Sequence, residues 1–163
     1  MLDSYNIDVA NGFLPAHEPL EALPDEFEIW DSMAREFSGL LNAGVFRSQA
    51  EAMPIIDDVS SLQTSMELER AMLLLSIFGH GFVWQDYESS GYIPESIAIP
   101  WTLVAERLGR PPTLAHASLV LNNWKKLEPN GSIKLGNLRT LIQFHGGLDE
   151  SWFYLVTTEI EAI

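Results

Sequence analysis

The segment from Ser60 to Trp84 constrains the fold more than any other part of the chain. Leu68, Met72, Leu75, Gly79, Phe82 and Val83 recur at three- and four-residue spacing on one helical face, and Leu74 and Ile77 widen it. A helix that is apolar around much of its circumference cannot lie on a surface, so this pattern predicts a helical bundle with Ser60–Trp84 at its centre. The longest apolar run, Ala71 to Phe82, is interrupted by Ser76, Gly79, His80 and Gly81 and falls short of the roughly 18 to 20 residues of a bilayer span. Gly79 and Gly81 flank His80, where a missing Cβ admits either a closely packed helix or a flat ligand.

Further helices are expected around that centre. Residues 1–24 carry Gly12, Pro15, Pro19 and Pro24 among Tyr5, Ile7, Phe13, Leu14, Leu20 and Leu23 with no helical period, and read as an irregular arm laid over a core. Pro24 and Asp25, followed by Glu26 and Glu28, suit a helix start. Phe27, Trp30, Ala34, Phe37 and Leu41 then form the stripe of an amphipathic helix ending near Gly44. A shorter helix spans Arg47 to Ala52 and stops at Pro54.

A polar loop, Asp86 to Gly91, leads through Ile93-Pro94 and Ile99-Pro100 to a helix expected over Trp101–Leu108 and closed by Gly109. Beyond Pro111-Pro112, Thr113 is expected to cap a helix carrying Leu114, Ala117, Val120 and Leu121 as far as Trp124, with Lys125 and Lys126 at its C-terminus. Pro129-Asn130-Gly131 is a turn, Ser132–Leu135 a short strand, and Asn137–Phe144 a short helix ended by Gly146-Gly147.

The last helix is expected from Asp149 through Trp152-Phe153-Tyr154-Leu155-Val156-Thr157, and its pattern still runs at Ile163, as if 148–163 were the start of a helix cut short. The expected class is all-α, mainly helical, with an irregular arm and at most a short β-hairpin, in one domain over 1–163.

Charge narrows the function classes. Residues 1–100 hold 17 acids against 3 bases and residues 101–163 hold 6 against 6, so the whole net charge of −14 sits in the first hundred residues. Such a surface repels phosphate backbones and speaks against nucleic-acid binding. The N-terminus has neither the basic region nor the apolar core of a signal peptide. The chain has no cysteine, which removes disulfides, thiol nucleophiles, Fe–S clusters and thiolate ligation of haem, and is compatible with a reducing cytoplasm. Neither a membrane nor a nucleic acid is expected as a partner.

Familiar site patterns such as HExxH, the P-loop, GxGxxG, GxSxG and the EF-hand loop are absent. His17, His80, His116 and His145 are far apart and lack the spacing of a zinc site. Two predicted helix faces place small polar groups within apolar stripes: His116 with Leu119, Val120 and Asn123, and Phe153 with Thr157 and Ile160. An aromatic wall with one hydroxyl and one imidazole fits a flat, hydrogen-bonding ligand, and ordinary core faces fit the same pattern.

The run Pro111-Pro112-Thr113-Leu114-Ala115-His116-Ala117-Ser118-Leu119-Val120-Leu121-Asn122-Asn123-Trp124-Lys125-Lys126 resembles the indoleamine 2,3-dioxygenase family, whose members carry PP-x-L-x-x-A-x-x-V-L-x-NWK. Tyr5-x-Ile7-x4-Gly12-Phe13, Leu23-Pro24, Phe82-Val83-Trp84, Ile93-Pro94, Ile97-Ala98-x-Pro100 and Phe153-Tyr154-Leu155-Val156-Thr157 follow in the family's order and resemble its N-terminal half.

The resemblance implies a haem b enzyme that inserts dioxygen (O2) across the C2–C3 bond of an indole, opening tryptophan to N-formylkynurenine in tryptophan catabolism. It implies a small N-terminal domain over the distal side of haem, and a C-terminal haem domain, in the same or a separate polypeptide, that supplies the proximal histidine and the arginine for the substrate carboxylate. His116, Leu119, Val120, Phe153, Tyr154 and Thr157 would bind substrate, with Phe153 packed on the indole and the Thr157 hydroxyl near O2 or the indole nitrogen. No metal ligand and no complete catalytic set is expected within 1–163. Animal members of the family commonly have tyrosine, cysteine, phenylalanine and serine where His116, Leu119, Tyr154 and Thr157 stand, so tryptophan and a related indole both remain open as substrate. The alternative is a non-catalytic module that keeps the small-domain fold and binds a protein or an apolar ligand without haem.

Overall fold

A computed structural model describes residues 7, 8 and 10–162; Tyr5 and the rest of 1–6, Val9 and Ile163 lie outside the described residues. Five helices, α1 (Glu28–Asn42), α2 (Phe46–Ala52), α3 (Ser65–Trp84), α4 (Glu95–Leu108) and α5 (Leu148–Glu161), carry most of the structure. Two short strands, β1 (Lys125–Lys126) and β2 (Leu138–Arg139), pair antiparallel with Lys125 opposite Arg139 and Lys126 opposite Leu138. The mainly helical class expected from the periodicity is the observed one, and the arm from Ala10 to Pro24 is irregular, as its glycine and prolines dictate.

Helix α3 occupies the centre, with every residue from Arg70 to Gly79 buried. It starts at Ser65 rather than Ser60 because Thr64 forms a reciprocal cap: its Oγ1 accepts from the Glu67 N–H at 3.2 Å, and Glu67 Oε2 accepts from the Thr64 N–H at 2.7 Å. Phe37 of α1 packs against Phe78 of α3, with ring centroids 5.6 Å apart, and edge-on against Phe46 of α2 at 4.7 Å. The two α3 glycines serve helix packing. A Cβ at Gly79 would fall on the Trp101 ring of α4, and one at Gly81 on the Phe37 ring of α1.

One charged pair is sealed into this core. Asp31 Oδ1 accepts from Arg70 Nη2 at 2.8 Å and from Nε at 3.2 Å, while Asp31 Oδ2 accepts from the Leu23 N–H at 2.6 Å. Asp31 and Arg70 are 1% and 6% exposed, so neither charge is tolerable without the other. The pair joins α1 to α3 and pins the end of the arm to both.

Several expected boundaries are corrected. Helix α4 begins at Glu95, not Trp101, and holds Pro100 in its interior. An interior proline costs about 3 kcal/mol, and the burial of Ile97, Trp101 and Val104 on the same helix outweighs it. The helix expected over 113–124 is only a five-residue π-turn, Ala117–Leu121, and Thr113 caps nothing. Side chains end it: Asn122 Nδ2 donates to the Ala117 carbonyl at 2.8 Å, and Trp124 Nε1 to the Leu121 carbonyl at 2.9 Å. Lys125 and Lys126 therefore end no helix. They lie in β1 and bind the arm, Lys125 Nζ to Glu21 at 2.6 Å and Lys126 Nζ to Glu18 at 3.3 Å.

The strand expected over Ser132–Leu135 and the helix over Asn137–Phe144 do not form. Asn123 is fully buried and acts as a substitute strand: its Oδ1 accepts from the N–H of Leu141 and of Ile142, and its Nδ2 donates to the Ile142 carbonyl. Backbone bonded in this way is held extended. A second, smaller apolar cluster of Leu14, Trp124, Leu138 and Leu155 joins the arm, β1, β2 and α5. Among the described residues no helix is long and apolar enough to cross a membrane.

Replacing Asp31 or Arg70 singly by a neutral residue is expected to lower the unfolding free energy by about 3 to 5 kcal/mol, measured by urea denaturation, whereas Asp31→Leu with Arg70→Met together should recover most of that loss. Gly79→Ala should destabilise by about 1 to 3 kcal/mol through overpacking against Trp101, and Trp101→Leu in the same chain should relieve part of it.

Candidate functional site

The predicted site residues lie on the π-turn and on α5, which pack against each other. Thr158, fully buried, joins the two: its hydroxyl lies 3.0 Å from the Tyr154 carbonyl and 3.3 Å from the Val120 carbonyl. The π-turn is held to α3 by a polar cluster in which Glu69 accepts from Arg110 and from Asn122, and Arg110 also donates to Ser118 Oγ at 3.3 Å. Burial pushes the Glu69 carboxyl above its ordinary value, and the Arg110 guanidinium opposes that push.

The six residues do not share one environment. Val120 and Tyr154 point inward, 3% and 6% exposed, and Leu119 is half-buried against the main core. Phe153 is 61% exposed and Thr157 is half-buried. His116 is exposed at the start of the π-turn and reaches α5, with its Nε2 3.0 Å from Glu161 Oε1. The structure therefore gathers His116, Phe153 and Thr157 along the outer side of α5, and uses Val120 and Tyr154 as the packing beneath it.

Hydrogen bonds define what these groups present. Thr157 Oγ1 donates to the Phe153 carbonyl at 2.9 Å, one helical turn back. The Tyr154 hydroxyl donates to Glu150 Oε1 at 2.8 Å, and burial together with that carboxylate raises the phenol well above its ordinary value near 10. Glu150 accepts in addition from the N–H groups of Phe144, His145 and Gly146 at 2.7 to 3.0 Å, which fixes the loop entering α5. The Asp149 cap expected at this helix does not form; Gly147, with φ of 100°, precedes the first residue, and Glu150 ties the entry instead.

The outer side of α5 is apolar. Leu148, Trp152, Phe153 and Ile160 are all more than half exposed, with Val156 half-buried among them. Sequence reasoning missed Trp152 and the two acids that hold the site, Glu150 and Glu161. The signal was available in the four-residue spacings Glu150–Tyr154 and Thr157–Glu161, which place each pair on adjacent turns.

The indoleamine 2,3-dioxygenase family model matches residues 1–163. The chain belongs to this family. It is 36% identical to human indoleamine 2,3-dioxygenase 2 over 162 residues, covering 98% of this chain and 39% of that protein. It is 33% identical to the indoleamine 2,3-dioxygenase of Saccharomyces cerevisiae, covering 100% of this chain and 38% of the relative, and 29% identical to a 6-hydroxytryptophan 2,3-dioxygenase of Fusarium equiseti, covering 98% and 40%. The chain thus spans about two fifths of the length of the curated relatives it matches.

For this indoleamine 2,3-dioxygenase family chain, the described residues fit one part of a haem site. An exposed apolar helix face with two aromatic side chains, Trp152 and Phe153, and few hydrogen-bond donors suits the face of a flat macrocycle or an indole. The four histidines lie apart from one another. His116 Nε2 is engaged by Glu161, His145 Nδ1 lies 2.7 Å from Asn42 Oδ1, His80 packs edge-on to Trp101 with burial lowering its pKa, and His17 lies in the arm. Among the described residues no group of three or more His, Cys, Asp or Glu side chains is placed to hold a metal ion.

Glu150→Ala should loosen the 144–146 loop and lower stability by about 2 kcal/mol, read by thermal unfolding, with faster amide exchange at Phe144 to Gly146. The raised Tyr154 phenol means that above pH 10 the folded chain holds a proton the unfolded chain has released. Its contribution to stability is full below pH 10 and is lost as pH rises above it. Alkaline unfolding should therefore shift to higher pH in Tyr154→Phe.

Proposed function

We propose that this chain forms the distal wall of the active site of a haem-dependent dioxygenase that opens the indole ring of tryptophan or a related indole. A C-terminal haem domain, on the same or a separate polypeptide, would supply haem b and its axial imidazole. The observation that carries this reading is the outer side of α5, where an exposed apolar stripe with Phe153 and Thr157 at its middle lies in a chain whose family match covers all of 1–163. Haem, held by the C-terminal part, would supply the dioxygen chemistry.

This chain's own residues bind and orient. The exposed Phe153 ring stacks on the indole. Thr157 has committed its proton to the Phe153 carbonyl, so its oxygen acts as an acceptor for the indole N–H and does not donate to O2. Trp152, Val156 and Ile160 exclude water from the closed site by packing on the C-terminal part, and Leu119, Val120 and Tyr154 set the depth of the wall from behind. Soluble cytoplasmic residence, with no membrane or nucleic-acid partner, accords with the absence of cysteine and with the acidic surface.

The test is to purify residues 1–163 with and without the C-terminal part and to add haem. The chain alone is expected to show neither a normal Soret band nor turnover of tryptophan, and the joined protein to show both. A Soret band and turnover from residues 1–163 alone would overturn the requirement for the C-terminal part, and a haem-free monomer under both conditions would support the non-catalytic module instead. In the joined protein Phe153→Ala should lower kcat/KM by about tenfold, the loss of one stacked aromatic contact with its buried area, with unchanged far-ultraviolet circular dichroism.

A further inference from the structure

The π-turn, Ala117–Leu121, hangs between two helices. From α5 the Thr158 hydroxyl reaches the Val120 carbonyl at 3.3 Å, and from α3 the Glu69 carboxylate reaches both ends of the turn. Glu69 Oε2 accepts from Asn122 Nδ2 at 3.4 Å, and the same Nδ2 donates to the Ala117 carbonyl at 2.8 Å. Oε2 also accepts from Arg110 Nη2, which donates in turn to Ser118 Oγ at 3.3 Å. Among the described residues, the side-chain hydrogen bonds that tie α3 to 117–122 all run through this one oxygen.

A turn of this kind needs such a hold. A π-turn bonds each carbonyl to the N–H five residues on, where the far commoner α-turn uses the one four residues on. A slip to the α register would swing the side chains that follow Ala117 around the axis, Leu119 and Val120 among them. Asn122 opposes that slip, because its amide occupies the Ala117 carbonyl and is itself held by Glu69. No side chain caps the start of the turn to oppose the slip from the other end.

Stability does not account for the pair. Glu69 and Arg110 are both half-buried, where desolvation offsets most of the attraction between an acid and a base. Arg110 Nε, moreover, is buried with no acceptor among the described residues. What the carboxylate brings is direction, since its bonds form only where donors lie within reach, whereas apolar packing would let the turn slide.

We propose that Glu69 is a positioning residue for substrate binding. Through Asn122 and Arg110 it fixes the register of 117–121, and with it the placing of Leu119 and Val120 behind the α5 face. This rests on the reading of that face as the indole-binding wall. Leu119 and Val120 set the depth of the wall, so a slipped turn weakens the hold on the indole in the ground state and the transition state alike. Such a loss appears in KM and not in kcat.

Two measurements test this, each on Glu69→Ala and on Asn122→Ala, which cut the same bond from opposite ends. On residues 1–163 without haem, NMR reads the turn. The Leu119 and Val120 methyl signals should move while those of Leu73 and Leu74 in the centre of α3 stay, and amide exchange at Leu121 and Asn122 should quicken about tenfold, as loss of one hydrogen bond implies. In the protein joined to its C-terminal haem part, KM for tryptophan should rise about threefold to tenfold in both variants, with kcat unchanged. Gly79→Ala, which destabilises the chain elsewhere, should leave KM as it is. Unmoved Leu119 and Val120 signals in both variants, an unchanged KM, a fall in kcat at constant KM, or an equal rise of KM in Gly79→Ala would overturn the proposal. Failure of the joined protein to take up haem would instead count against the wall reading, and the NMR result would still decide whether Glu69 fixes the turn.

Discussion

A helix with apolar side chains around much of its circumference has to be enclosed, and the rest of this chain is placed by the way it encloses α3. Helices α1, α2 and α4 pack on it through Phe37, Phe46 and Trp101, and Gly79 and Gly81 let two of those rings lie directly on the α3 backbone. Taking the apolar surface of α3 out of water contributes roughly 25 cal/mol per Å², which offsets the conformational entropy lost in ordering the chain. Arg70 is a buried charge within that helix. It is tolerated because Asp31 meets it, and the same carboxylate takes the Leu23 N–H, so a charge in the core also ends the arm.

The C-terminal third is organised differently, by polar side chains that replace secondary structure. Asn122 and Trp124 close the π-turn, Asn123 bonds the backbone of Leu141 and Ile142, and Glu150 gathers three N–H groups ahead of α5. Buried amides and carboxylates that satisfy backbone groups in this way hold irregular chain as firmly as a ladder does. The run of motif residues from Asn122 to Lys126 is therefore scaffold. It supports the site from behind, and the groups that face outwards belong to its neighbours.

That division of labour shapes the candidate site. The inner side of α5 is committed to Val120 and the small apolar cluster, which leaves Phe153, Thr157 and the residues flanking them on the outside. Tyr154 and Thr157 have given their hydroxyl protons to the chain itself, and the largest exposed groups on this face are the Trp152 and Phe153 rings.

The sequence by itself determined the helical class, the central position of the 65–84 segment, the two amphipathic neighbours and the family, because these follow from periodicity and from an ordered set of motifs that local spacing carries. The turn at Pro129-Asn130-Gly131 forms as expected, but the helix expected over 113–124, the strand over 132–135 and the helix over 137–144 do not, because Asn122, Asn123 and Glu150 bond the chain there, with partners as far as 53 residues away in sequence. The sequence singles out His116, Phe153 and Thr157 as candidates, but it does not give their orientation. Only the tertiary structure decided that Tyr154 and Val120 turn inward and that Glu161 takes the imidazole of His116, since which face of α5 is buried depends on the π-turn that packs against it.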